Sequence, residues 1–138
     1  MIVPSEDSRL GRVQAAFGSV AYAKFLRLEM REIEGGRMAV CLDVRDELKQ
    51  NHGVIHGGAI ASLIDTASAF AILAVIEENE KVTTTDLTIQ YLRPVTSGRM
   101  TAQAKIVRAG RRRFVVSVDV ENNETLVATA ITGYAKIG

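Results

Sequence analysis

The stretch Asn51-His52-Gly53-Val54-Ile55-His56-Gly57-Gly58 gathers three glycines, an asparagine and both histidines of the chain, and Asp65 follows shortly after. A glycine loop that opens a helix offers backbone N–H groups with no intrahelical partner, at the end where the helix dipole favours negative charge. Such a spot can stabilise an oxyanion developing on a carbonyl. Asp65 falls two turns into the segment that follows, beside Ala61, Ser62, Ser68 and Ala69, all small. A lone acid in an apolar helix needs a partner or a task. Two readings stand: a structural acid satisfied by backbone or threonine hydroxyls, or a carboxylate whose environment makes it a general base or acid. His56 alone has a plainer use as a packed, hydrogen-bonded side chain, and the glycines as turn residues. Their coincidence with Asp65 around one helix start favours chemistry.

Other chemistries lack their residues. His52 and His56 have the spacing of paired helical zinc ligands, but Gly53 stands where H-E-x-x-H needs glutamate, and the glycines break the helix. No metal site is therefore expected. There is no G-x-S-x-G elbow, no G-x-x-x-x-G-K-[ST] loop and no G-x-G-x-x-G after a strand.

The elements that must position these groups follow from periodicity. Leu10, Val13, Phe17 and Val20 recur at helical spacing and predict a helix from roughly Glu6 to Tyr22. Alternation over Phe25–Glu34 and Met38–Val44, joined by Gly35-Gly36, predicts a hairpin. Ala59–Ile76 is the longest apolar run, without Gly or Pro, and predicts a helix buried on most faces. Strands are predicted over Val82–Leu92, Arg99–Arg108, Phe114–Val120 and Leu126–Ala135, with a turn at Asn122-Asn123. Strand runs around one segregated helix indicate an α+β fold with an antiparallel sheet. A helix apolar on nearly every side requires a sheet that curls around it or a second subunit that covers it.

Composition bounds the rest. The chain has 138 residues, 47% hydrophobic and 24% charged, with a net charge of +1. That is a single globular domain over 1–138, with 1–23 as an N-terminal helical segment, and no global field toward nucleic acid. Ser62, Asp65, Thr66 and Ser68 interrupt the apolar run, so no membrane span is expected. Cys41 is the single cysteine, which excludes a disulfide framework; with no apolar leader in MIVPSEDSRL, a cytoplasmic protein is expected.

Read as N-x-x-x-x-H-G-G-x-x-x-x-x-x-D, Asn51 to Asp65 resembles the motif of the hotdog-fold acyl-CoA thioesterases, of the phenylacetate-pathway (PaaI-type) subgroup. Thr83–Pro94, ending in Leu92-Arg93-Pro94, is similar to that family's strand with its Arg-Pro end. The resemblance implies a hotdog fold, an antiparallel sheet wrapped around one long central helix, in a homo-oligomer, a dimer of dimers, with its site at a subunit interface. It implies hydrolysis of an acyl- or aryl-acyl-CoA to free acid and coenzyme A, with no metal or organic cofactor. Asp65 would activate water or attack the thioester carbon. Gly57 would polarise the carbonyl through its N–H, with Asn51 assisting and His56 orienting the loop. Thr84, or else its neighbour Thr83 or Thr85 on the opposite strand face, would help hold the water, reaching the site from the partner subunit. Gly58, Arg93, Arg111 and Arg112 would bind the coenzyme A portion, the arginines through its phosphates. Arg111-Arg112-Arg113 otherwise reads as a solvated charged turn, and with no aromatic interleaving it fits nucleic acid less well. Two rivals remain on the same scaffold: a hydratase or dehydratase acting on acyl thioesters, and a non-catalytic acyl-CoA sensor. Sensors typically lose the acid or append a DNA-binding segment; here Asp65 is present and 138 residues leave no room for an added domain.

Overall fold

The structure, a computed structural model, describes residues 4–138, with side chains from Leu10 onward, so the first three residues of segment 1–23 lie outside the described residues. Two helices, α1 (Pro4–Ser19) and α2 (Ala21–Leu26), precede a hairpin of β1 (Glu29–Glu34) and β2 (Arg37–Asp43). Helix α3 (Gly57–Leu73) then leads to β3 (Lys81–Tyr91), β4 (Arg99–Ala109), β5 (Arg113–Asn122) and β6 (Thr125–Ile137). The strands form one antiparallel sheet in the order β1-β2-β4-β5-β6-β3. Helix α3 packs against five of them, β2 to β6. The core is this helix's Leu63, Ile64, Ala67 and Ile72 against inward-facing Val40, Leu42, Met100, Val116, Val118 and Val120. This is the expected α+β arrangement, with the sheet wrapped over the apolar helix.

Two boundaries depart from the sequence reading. Phe25 to Leu28 do not begin a strand: Phe25 and Leu26 close α2, and Arg27 ends it in the left-handed region at φ 60°. The reason is non-local. The Arg45 guanidinium donates to the carbonyls of Phe25 (2.8 Å) and Leu26 (3.0 Å), two acceptors that a helix end leaves without partners. The β5–β6 turn is centred one residue later than expected, on Asn123 and Glu124, both at positive φ. That is the geometry of a two-residue primed turn, and a glutamate there gives no turn signal.

Strand β3 lies at the sheet edge and carries a bulge. Its register against β6 slips between Thr84 and Asp86, leaving Thr85 as the extra residue. Side chains alternate along a strand, but a bulge inserts one residue and shifts that alternation. Before it, even-numbered Val82 and Thr84 face α3; after it, odd-numbered Ile89 and Tyr91 do. Opposite the bulge, Gly133 has no room for a Cβ, because the Asp86 carboxylate lies over it.

Candidate active site

The start of α3 is held from three sides. Leu48 O accepts from His56 N (2.8 Å), Val95 O from Ile55 N (2.8 Å), and Lys49 pairs with Ile55 across a small loop. His52 and Gly53, at φ 72° and 74°, turn the tip of that loop. His56 is the N-cap: its Nδ1 accepts from the Gly58 N–H at 2.8 Å, so the ring proton of the neutral imidazole sits on Nε2. The Tyr91 hydroxyl donates to the Gly57 carbonyl, also at 2.8 Å. The peptide unit between Gly57 and Gly58 is thus gripped at its carbonyl and at its N–H. A Cβ on Gly58 would lie 2.9 Å from His56 Nδ1, and one on Gly57 3.4 Å from the Tyr91 ring. The Gly57 N–H itself donates to no acceptor among the described residues.

Beside it opens a cleft of about 400 Å³, lined among others by Gln50, Gly57, Ile60, Tyr91, Leu92 and Arg93. Partial burial holds the Tyr91 phenol above its usual range, which keeps it a donor. Arg93 is fixed by a bond from Nη1 to Leu126 O (2.8 Å). Asn51 is not among the lining residues; its neighbour Gln50 is, with its amide near Ile55 O at 3.5 Å. Gly58 is beside the cleft, but its N–H is occupied by His56.

The Asp65 carboxylate, half-buried, forms the second part. Its Oδ1 accepts from Thr84 Oγ1 (2.9 Å) and from the Tyr134 hydroxyl (2.6 Å), which also reaches the Asp65 backbone carbonyl at 3.1 Å. Oδ2 has no hydrogen-bond partner among the described residues. Burial, and then the bond to Asp65, push the Tyr134 phenol far above its usual range, so it is a permanent donor. Thr84 and Asp65 meet within one chain, not across subunits as the sequence reading had it: the bulge turns Thr84 onto its own α3. Thr85 points elsewhere, donating to Asp86 (2.8 Å) and accepting from Arg113 (3.3 Å). Tyr134 and Gln50 went unnoticed in the sequence; Tyr134 lies in the last strand with no motif around it.

The structure does not bring all the expected residues together. Gly57 and Asp65 lie eight residues apart on α3, a rise of about 12 Å. Arg111 and Arg112 line a different cleft, of about 540 Å³, with Lys81 and Lys136. It opens at the Lys81 end of β3, whereas Arg93 stands beyond the Tyr91 end, about 33 Å along the strand. Among the described residues no group of three or more His, Cys, Asp or Glu side chains could hold a metal ion, and no helix is long and apolar enough to cross a membrane.

A sheet wrapped on one central helix is the hotdog fold, and relatives of this chain named as thioesterases make it an enzyme of the thioester hydrolase class. Residues 52–129 match the thioesterase superfamily, and the chain belongs to it. It is 33% identical over 99 residues to a Saccharolobus solfataricus protein provisionally named esterase SSO2140, covering 72% of this chain and 70% of the relative. It is 32% identical over 98 residues to the medium/long-chain acyl-CoA thioesterase YigI of Escherichia coli, covering 62% of this chain and 63% of that one. The solved PaaI protein of the E. coli phenylacetic acid degradation operon superposes with a TM-score of 0.88 at 25% identity, covering 96% of each chain. The thioesterase HI1161 of Haemophilus influenzae gives 0.83 at 27% identity, over 89% of this chain and 87% of that one.

Proposed function

We propose that this chain is an acyl-CoA thioesterase of the PaaI type, hydrolysing an acyl-CoA to the free acid and coenzyme A at a site shared by two copies. The observation that carries the reading is the held carboxylate: Oδ1 of Asp65 is fixed by two donors while Oδ2 is left for a reactant. The name of the YigI relative, a medium/long-chain acyl-CoA thioesterase, supports a thioester of coenzyme A as substrate.

The separation of Gly57 and Asp65 along α3 is the argument for two copies, because one carbonyl group cannot reach both within a chain. The unpaired edge of β3 offers the joint. Antiparallel pairing of two β3 edges about Asp86, the strand's midpoint, sets the Tyr91 end of one copy against the Lys81 end of the other. Each site then takes Gly57, Gln50, Tyr91 and Arg93 from one copy, and Asp65 and Thr84 from the other. The same pairing carries the second copy's Arg111 and Arg112 toward the Arg93 end, where guanidinium groups suit the phosphates of coenzyme A. Association of two such pairs would give the dimer of dimers.

The Gly57 N–H donates to the thioester oxygen as charge develops on it. Asp65 Oδ2 either takes a proton from water as the water attacks the carbonyl carbon, or attacks that carbon itself to form an anhydride that water then opens. The carbon–sulfur bond breaks, the acid leaves with the water oxygen, and the thiolate of coenzyme A takes up the proton. No metal or organic cofactor enters these steps; coenzyme A is part of the substrate. His56 acts through the loop, holding Gly58 and with it the direction of the Gly57 N–H.

A free-thiol release assay on phenylacetyl-, hydroxybenzoyl-, hexanoyl- and palmitoyl-CoA tests the reading with wild type and Asp65→Asn. Release that falls by at least about 100-fold in the variant supports it and ranks the acyl groups. Tight acyl-CoA binding without release by wild type would overturn it in favour of a sensor.

A further inference from the structure

We infer that Tyr134 is a positioning residue for the reaction: its buried hydroxyl fixes the plane of the Asp65 carboxylate, so that one oxygen is held and the other faces the substrate. The inference rests on the reading of Asp65 as the reacting carboxylate. Behind the phenol stand Ser68 and Thr132, the two non-aromatic polar side chains fully buried among the described residues, both 0% exposed. Polar groups inside an apolar core need a compensating role. Thr132 Oγ1 donates to Ser68 Oγ at 3.0 Å, with Val116 O as its longer alternative acceptor at 3.3 Å. Both hydroxyls lie close enough to the phenol to offset part of the rise that burial and Asp65 give it. Tyr134 in turn donates to Asp65 Oδ1 at 2.6 Å.

Asp65 Oδ1 has a second donor in Thr84, but Thr84 is exposed and water competes for its hydroxyl. Tyr134 is 1% exposed and meets no such competition. The two donors come from different strands, β3 and β6, and converge on one oxygen. Rotation of the carboxylate would break both bonds at once, so Oδ2 stays turned toward the substrate. The phenol touches no substrate in this arrangement; it acts through Asp65.

The test uses the full chain with Tyr134→Phe, Asp65→Asn and the double variant, assayed on the acyl-CoA that wild type turns over fastest. Tyr134→Phe is expected to lower kcat by about 10- to 100-fold, the effect of a lost hydrogen bond to a charged group, with KM nearly unchanged. In the Asp65→Asn background the same substitution is expected to lower the residual rate no further. A folded Tyr134→Phe with wild-type kcat overturns the inference, as does an equal further loss in the Asp65→Asn background, which a merely structural role would give. Asp65→Asn with wild-type activity would instead overturn the underlying function and the inference with it. Should Tyr134→Phe lose its cooperative melt, Ser68→Ala removes the hydroxyl behind the phenol. Folded Ser68→Ala is expected to lose kcat about 3- to 10-fold, again only while Asp65 is present; an unchanged kcat overturns the inference.

Discussion

In the proposed mechanism the group that acts at the start of α3 is a backbone N–H, whereas two turns later it is a side-chain carboxylate, and the two are held by different means. The Gly57 end is local. His56 grips the peptide at Gly58 from two residues away, glycines leave room for the approach, and Tyr91 and the Val95 carbonyl arrive from elsewhere. The Asp65 end is assembled across the fold, from Thr84 on the edge strand and Tyr134 on the last one. The difference teaches where each end is vulnerable. The first depends on backbone conformation, on the room the glycines leave and on the Tyr91 hydroxyl; the second depends on three side chains and on the register of two strands.

The largest separation between the ends comes from Asp65→Asn, which removes the proposed reacting group and leaves the backbone donor intact. A loss of kcat of about 10²- to 10⁴-fold with an unchanged melting temperature is expected, read by thiol release and thermal unfolding. Gly57→Pro is the counterpart. Proline is well accepted at the first position of a helix, and His56 already has the extended backbone (ψ 135°) that a residue before proline adopts. The substitution removes the one N–H at issue, so kcat is expected to fall about 10²- to 10³-fold while the helix persists. Mixing the two inactive proteins after dissociation tests whether the ends come from different copies. Mixed pairs hold one site with both defects and one with neither, so about a quarter of wild-type activity is expected to return; no recovery would return both ends to one chain.

Smaller effects sharpen the contrast. Tyr91→Phe frees the Gly57 carbonyl and Thr84→Val frees one bond to Asp65, each expected to lower kcat by about 10-fold. Combined with Tyr134→Phe, Thr84→Val is expected to cost more than the product of the single losses, because the same oxygen loses both donors; Tyr91→Phe is expected simply to multiply. The smallest effect on rate and the clearest on stability is Gly58→Ala. Its Cβ would press on His56 Nδ1, and loss of the N-cap costs about 1 kcal/mol, read as a lower melting temperature.

The local end was legible in the sequence and the assembled end was not. Glycines, a histidine and a downstream acid announced the loop, the helix and Asp65, and apolar alternation announced the strands that wrap α3. Which loop residue turns toward the cleft was not announced. The pairing of Lys49 with Ile55 sets it, and Gln50 rather than its neighbour Asn51 lines the cavity. Nothing near Tyr134 points to Asp65, which lies 69 residues earlier. The length of α2 depends on Arg45, about twenty residues on, satisfying its last carbonyls.

The extra residue at Thr85 has a consequence for how this protein can change. Thr84 and Tyr91 are an odd number of positions apart, so an unbroken zigzag would send them to opposite sides of the sheet; a phase slip of half a period lets both serve one helix. The strand therefore works as two short rulers joined out of step. Deleting Thr85 would remove the slip and leave Thr84 and Tyr91 an even six positions apart, so a regular strand would still present both to α3. Deleting one residue from either regular run would instead turn one end of the site away, so tolerance along this edge should depend on where the change falls rather than on length.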